Sequence, residues 1–143
     1  MKKFAAVFFL FCSTFIIMSG CRKNHASPSL SRVVTKVDIF CQNEDARIER
    51  HYTDMRKMEY VLLYLRLLKP LGKPDQDPEL LNKDVYEITV HLSDGSKKLY
   101  RQKAHKYFSR DKKPWEMIHP GQAAGLYELI RYLPSDTVMV YVL

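Results

Sequence analysis

Tyr86, Ile88, Val90 and Leu92 are apolar, and Glu87, Thr89 and His91 between them are polar. Successive side chains of a strand point to opposite faces, so this alternation specifies a strand with one buried side. Asp94-Gly95 follows, a pair that tolerates positive φ at both positions and closes a right-twisted hairpin as a two-residue turn. That turn places Leu99 opposite Val90 and Tyr100 opposite Thr89. Leu99 then shares the core face with Lys97, Arg101 and Lys103, the last two lying at the sheet's rim. Lys98, Tyr100 and Gln102 point outward.

A second alternating run, Thr35, Val37, Ile39 and Cys41, makes residues 33–42 a strand, and residues 46–52 read as its hairpin partner. Thr53 or Asp54 is a natural N-cap, because a side-chain oxygen there accepts from a free amide of the first helical turn. Met55, Met58, Leu62, Leu65 and Leu68, with Val61 beside them, recur at helical spacing up to Lys69-Pro70. Pro120 starts a second helix with Ala123, Leu126, Ile130 and Leu133 as its stripe and Pro134 as its stop.

Residues 103–110 continue or bend into another strand, and residues 115–118 form a short strand or turn. Residues 137–143 (TVMVYVL) make a final strand whose low polarity favours a place inside the sheet. The expected fold class is α+β: a mostly antiparallel sheet with two helices packed on one face.

Residues 69–84 carry three prolines and one glycine, long for a structureless connection, and Asp77-Pro78 suits the start of a helical turn. Asp75, Asp77 and Glu79 are spaced like calcium ligands. Leu80 stands where that loop needs glycine and Tyr86 where it needs a closing carboxylate, so calcium is rejected.

The N-terminus carries a destination. Lys2 and Lys3 precede fifteen residues, 4–18, of which Ser13 and Thr14 are the polar members. Spanning a bilayer takes about 20 apolar residues, whereas a signal peptide needs fewer. Met18-Ser19-Gly20-Cys21 resembles the lipobox of bacterial lipoproteins. That resemblance implies a diacylglycerol on the Cys21 sulfur, cleavage after Gly20 and a lipid-anchored, extracytoplasmic chain at the cell membrane. Residues 1–20 are then the signal peptide, 21–32 a lipidated flexible tether, and 33–143 one α+β domain.

The globular part, through VLLYLRLLKPLGKPDQDPE, YEITVHLSDGSKKLYRQ and PGQAAGLYELI, also resembles small uncharacterised lipoproteins of Gram-positive bacteria. That likeness implies a cell-surface domain without assigned catalysis.

With Cys12 removed and Cys21 acylated, Cys41 has no disulfide partner in the mature chain and reads as a buried strand thiol. The five histidines show no zinc-peptidase spacing, no cysteine pair suits structural zinc, and neither a phosphate-binding glycine loop nor a nucleophile elbow is present. No catalytic residue, cofactor or metal is assigned.

Charge is the remaining signal. The net charge is +7, or +5 once Lys2 and Lys3 leave with the signal. Residues 96–113 hold eight Lys or Arg against Asp111, with Tyr100, Tyr107 and Phe108 interleaved and Trp115 nearby. Lys97, Lys98, Arg101, Lys103 and Lys106 are the candidate anion-binding residues, for anionic lipid, a cell-wall polymer or an acidic protein. Export disfavours nucleic acid. The expected function is a non-enzymatic binding module on a membrane anchor. A sensor or inhibitor of a neighbouring membrane protein is the alternative, and a hydrolase with an unrecognised site is third.

Overall fold

Alternation carries β1 (Val34–Gln42) through the middle of the sheet: Val37 and Ile39 turn inward and are buried, while Asp38 and Phe40 face the other way. The computed structural model describes residues 32–43 and 45–142. The expected signal peptide, Cys21 and all of the tether before Arg32 lie outside the described residues. A compact unit begins at Arg32.

Asn43 turns the chain with its side chain, accepting from the Asp45 and Ala46 amides at 3.1 and 2.7 Å, and β2 (Ala46–Tyr52) returns antiparallel. Asp54 caps α1 (Met55–Leu67) by accepting from the Arg56 and Lys57 amides. β3 (Pro70–Gly72) follows. A single 3-10 turn then spans Pro78–Leu80, with Asp77 as its cap, where the Asp77-Pro78 pair predicts one. Next come β4 (Val85–Leu92), β5 (Lys97–Lys103), β6 (Tyr107–Arg110) and β7 (Glu116–Ile118). α2 (Pro120–Tyr132) and β8 (Thr137–Val142) complete the chain.

The eight strands form one sheet in the order β3-β7-β6-β5-β4-β1-β2-β8, and every pairing is antiparallel. Both helices pack on the face that carries Val37, Ile39, Tyr86, Ile88 and Val90, with Val61 and Leu65 of α1 and Ala123 and Leu126 of α2 in one apolar cluster. The fold is α+β, with the helices on one face. A fully buried aliphatic side chain contributes about 1.5–3 kcal/mol, so this cluster supplies the main stabilising term.

Three expectations are corrected. The stripe of α1 holds except at its start: Met58, Val61, Leu65 and Leu68 are buried and Leu62 is half-buried, but Met55 is 69% exposed because it occupies the first position after the cap. β8 is not inside the sheet. It is the edge beyond β2, with all six residues exposed.

The third correction is a register shift. Leu99 pairs with Thr89, Tyr100 with Ile88 and Lys98 with Val90. The connection is three residues, Ser93-Asp94-Gly95: Leu92 N donates to Ser96 O at 2.9 Å, and Gly95 N to Leu92 O at 3.0 Å. Gly95 alone takes positive φ (81°), as in a turn followed by a left-handed residue. A one-residue slip exchanges the two faces of a strand. Tyr100 and Gln102 therefore face the helices, and Leu99, Arg101 and Lys103 face away. The adjacent positive-φ pair expected at residues 94–95 occurs instead at Ala104 (55°) and His105 (50°), between β5 and β6.

Candidate functional site

The helix-free face of the sheet and its two ends hold nearly all the charge that the sequence reading singled out. The segment between β3 and β4 lies over this face at the β5–β6–β7 side. Asp75 accepts from the Tyr107 hydroxyl at 2.5 Å and pairs with the Lys106 ammonium. Lys106 first, and Tyr107 second, draw the Asp75 carboxyl down to about 2; the same pairing raises the Lys106 ammonium.

Glu79 accepts from Trp115 Nε1 at 2.8 Å and from Arg101 Nη1 at 3.3 Å, and the Arg101 guanidinium stands 4.7 Å from the Trp115 ring centre. Lys103 is 8% exposed and its ammonium reaches the Glu79 carbonyl at 3.5 Å. Three of the five candidate cations, Arg101, Lys103 and Lys106, are thus tied to one acidic segment thirty-odd residues or fewer away in sequence.

Lys97 and Lys98 behave differently. Both are exposed, on opposite faces at the start of β5, without a carboxylate partner among the described residues. Arg110, Lys112 and Lys113 join them at this end, because Tyr100 pairs with Arg110 and the Asp111 amide donates to the Leu99 carbonyl. Asp111 is occupied: Oδ1 accepts from the Leu99 amide at 2.9 Å. The polypeptide enters the domain at the same end. Val34 pairs with Leu92, Ser93 N donates to Val33 O at 2.8 Å, and Arg32 Nε stands 2.9 Å from Asp94 Oδ2. The structure therefore places Lys97, Lys98, Arg110, Lys112 and Lys113 at the end of the sheet where the chain enters. It does not gather the original five on one free surface.

Sequence reasoning missed a polar cluster at the middle of the open face. Asp38 Oδ1 lies 2.6 Å from His51 Nδ1 and 3.0 Å from Lys36 Nζ, and Asp38 Oδ2 lies 2.7 Å from His91 Nε2. Burial pushes the Asp38 carboxyl up, but the contacts from His51, Lys36 and His91 outweigh it and the net shift is downward. These residues sit on β2, β1 and β4, and only strand register brings them together. No local spacing could have announced them. Among the described residues no group of three or more His, Cys, Asp or Glu is arranged to hold a metal ion.

Two clefts flank the bottom of β1. A broad, open one of about 1140 Å³ lies over Phe40, Gln42, Glu87, Lys103 and His105, with mixed charge on its walls. A smaller one of about 280 Å³, between the sheet and α2, holds Cys41, Arg50, Tyr86 and Arg131. Burial raises the Cys41 thiol, so it stays protonated at neutral pH. Comparison with family models, curated proteins and solved structures finds no match, and the reading of these surfaces rests on their own chemistry.

Proposed function

We propose that this chain is a lipid-anchored extracytoplasmic protein whose domain binds an anionic surface, without catalysis, through the basic end at which the polypeptide enters it. The observation that carries this reading is the coincidence of two features: the entry at Arg32, pinned to Asp94, and the exposed Lys97, Lys98, Lys112 and Lys113, which have no carboxylate partner among the described residues. Arg32 follows Cys21 by eleven residues, a reach of at most about 40 Å. A lipid on Cys21 therefore holds this end within one tether length of the headgroups, where its cations can reach them. Each Lys or Arg close to an anionic membrane contributes about 1 kcal/mol, and the attraction fades beyond about 8 Å at physiological salt. Two acyl chains supply stable attachment, and the cations orient what is attached.

The reading predicts two separable results. Cys21→Ala abolishes lipid incorporation and cleavage after Gly20, so that cells accumulate an unlipidated chain of the precursor's mass. Residues 22–143, prepared without lipid, sediment with anionic vesicles at low salt and are released at high salt. The Lys97→Glu, Lys98→Glu, Lys112→Glu, Lys113→Glu variant loses that adsorption at an unchanged melting temperature, since exposed charges contribute little to folding. Equal sedimentation with uncharged vesicles, or an unaffected quadruple variant, removes the electrostatic reading. A Cys21→Ala protein that is still lipidated and cleaved like the wild type removes the anchor.

A further inference from the structure

β8 pairs with β2 along one side, and its other side has no strand partner among the described residues. An open strand edge presents a row of unpaired N–H and C=O groups. Natural proteins guard such edges with lysine, proline, a bulge or a covering segment. Thr137–Val142 shows none of the first three: it reads Thr-Val-Met-Val-Tyr-Val, and its register against β2 is unbroken. Its exposure is large for such residues, 61% at Val140 and 87% at Val142.

We propose that β8 is a homodimerisation strand that pairs antiparallel with β8 of a second copy about a two-fold axis at Val140. The occupant is a second copy because the strand is complementary to itself. Read in either direction from Val140, residues 138–142 present the same alternation of a valine and a large apolar side chain. A two-fold interface demands this property, since each residue meets the mirror position of its own sequence.

The axis sets Val140 against its own equivalent, Val138 against Val142, and Met139 against Tyr141. The faces agree as well. Val138 and Val140 share the helix side with their β2 partners Arg50 and Ile48, whereas Met139 and Tyr141 share the open side with Glu49 and Arg47. Each Met139 thioether then meets a Tyr141 ring, a favourable pairing, and it meets it twice. The strand itself carries no charge, so the two-fold opposes no like charges within it.

About four to six main-chain hydrogen bonds close the seam, depending on which alternate residues turn outward. The area stays below the roughly 800 Å² per partner of a standard stable interface. The dimer is accordingly weak and reversible in dilute solution, and confinement of many copies on one surface favours it. The pairing itself does not require the lipid.

The test places the photoreactive residue benzoylphenylalanine at position 140 of the full chain and irradiates intact cells and purified protein. Leu80, 84% exposed and remote in sequence, is the control position. The expected product has twice the chain's mass, contains this chain alone, and arises from position 140 and not from position 80. Adding Val138→Lys, or Val142→Lys should the first variant not accumulate, lowers its yield by about tenfold or more, because each ammonium is then set against a valine of the other copy and must give up water to pair there. Absence of the product, equal yield from position 80, indifference to both lysines, or attachment to a different protein overturns the proposal.

Discussion

The Tyr64 hydroxyl donates to Gln102 Oε1 at 2.6 Å, and Gln102 Nε2 donates in turn to the Ala123 carbonyl at 2.9 Å. One amide, 2% exposed, thereby joins α1, β5 and α2 inside the apolar cluster. A buried polar group is tolerated when both its ends are satisfied, and it is costly when one is stripped. Tyr64→Phe is expected to destabilise the protein by about 1–3 kcal/mol, by leaving Oε1 without its donor. In a double-mutant cycle with Gln102→Leu, the two losses should fall well short of additive. Chemical denaturation of the four proteins measures both quantities.

Asp136 ties the start of β8 to the start of α1. Its Oδ1 meets Lys57 Nζ at 2.5 Å, and its Oδ2 accepts from the Thr53 and Asp54 amides at 2.7 and 3.0 Å. The Lys57 ammonium first, and these amides second, hold the carboxyl well below the usual carboxylate range. A carboxyl with a depressed folded pKa stabilises the fold above its unfolded pKa, near 3.9, and loses that contribution as pH falls toward the folded value. The melting temperature of the wild type should thus decline on acidification below about pH 4. Asp136→Asn should melt lower at neutral pH and decline less steeply in acid. Parallel pH profiles for the two proteins would contradict this.

The exposure of Met55 at the start of α1 has a measurable consequence. Leu65, 4% exposed, should cost about 2–5 kcal/mol when replaced by Ala, and Leu126, fully buried, a similar amount. Met55→Ala should change stability by no more than about 0.5 kcal/mol, since most of that side chain is already in water. Thermal melts of the three variants decide whether Met55 belongs to the core or to the surface.

Element types were legible in the residues because their periods are local. Alternation in residues 86–92 and 35–41, and three-and-four spacing in residues 58–65 and 123–133, record which side of each segment meets the core, whatever the core turns out to be. Proline and capping residues marked the ends for the same reason: Asp54, Asp77-Pro78 and Pro120 act on the first turn of their own segments.

The hairpin face was not legible, because a two-residue and a three-residue connection differ by one position and both accommodate Asp94-Gly95. Ordering Gln102 between Tyr64 and Ala123 is an interaction across three elements, and only packing selects it. The place of β8 was open as well. Apolarity marks residues 137–142 as avoiding water but does not say which of their edges finds a partner.

The candidate site divides along the same line. The sequence by itself determined that residues 96–113 are strongly basic, and that lysines 97 and 98 stand beside a turn. Only the tertiary structure decided which charges stay free. Asp75 and Glu79 cross from a distant segment to occupy Lys106 and Arg101, while Arg32 brings the chain's entry to the end where Lys97, Lys98, Lys112 and Lys113 have no carboxylate partner among the described residues. Charge adds up along a chain, but ion pairing depends on distances of a few ångströms, and those distances exist only once the segments have packed.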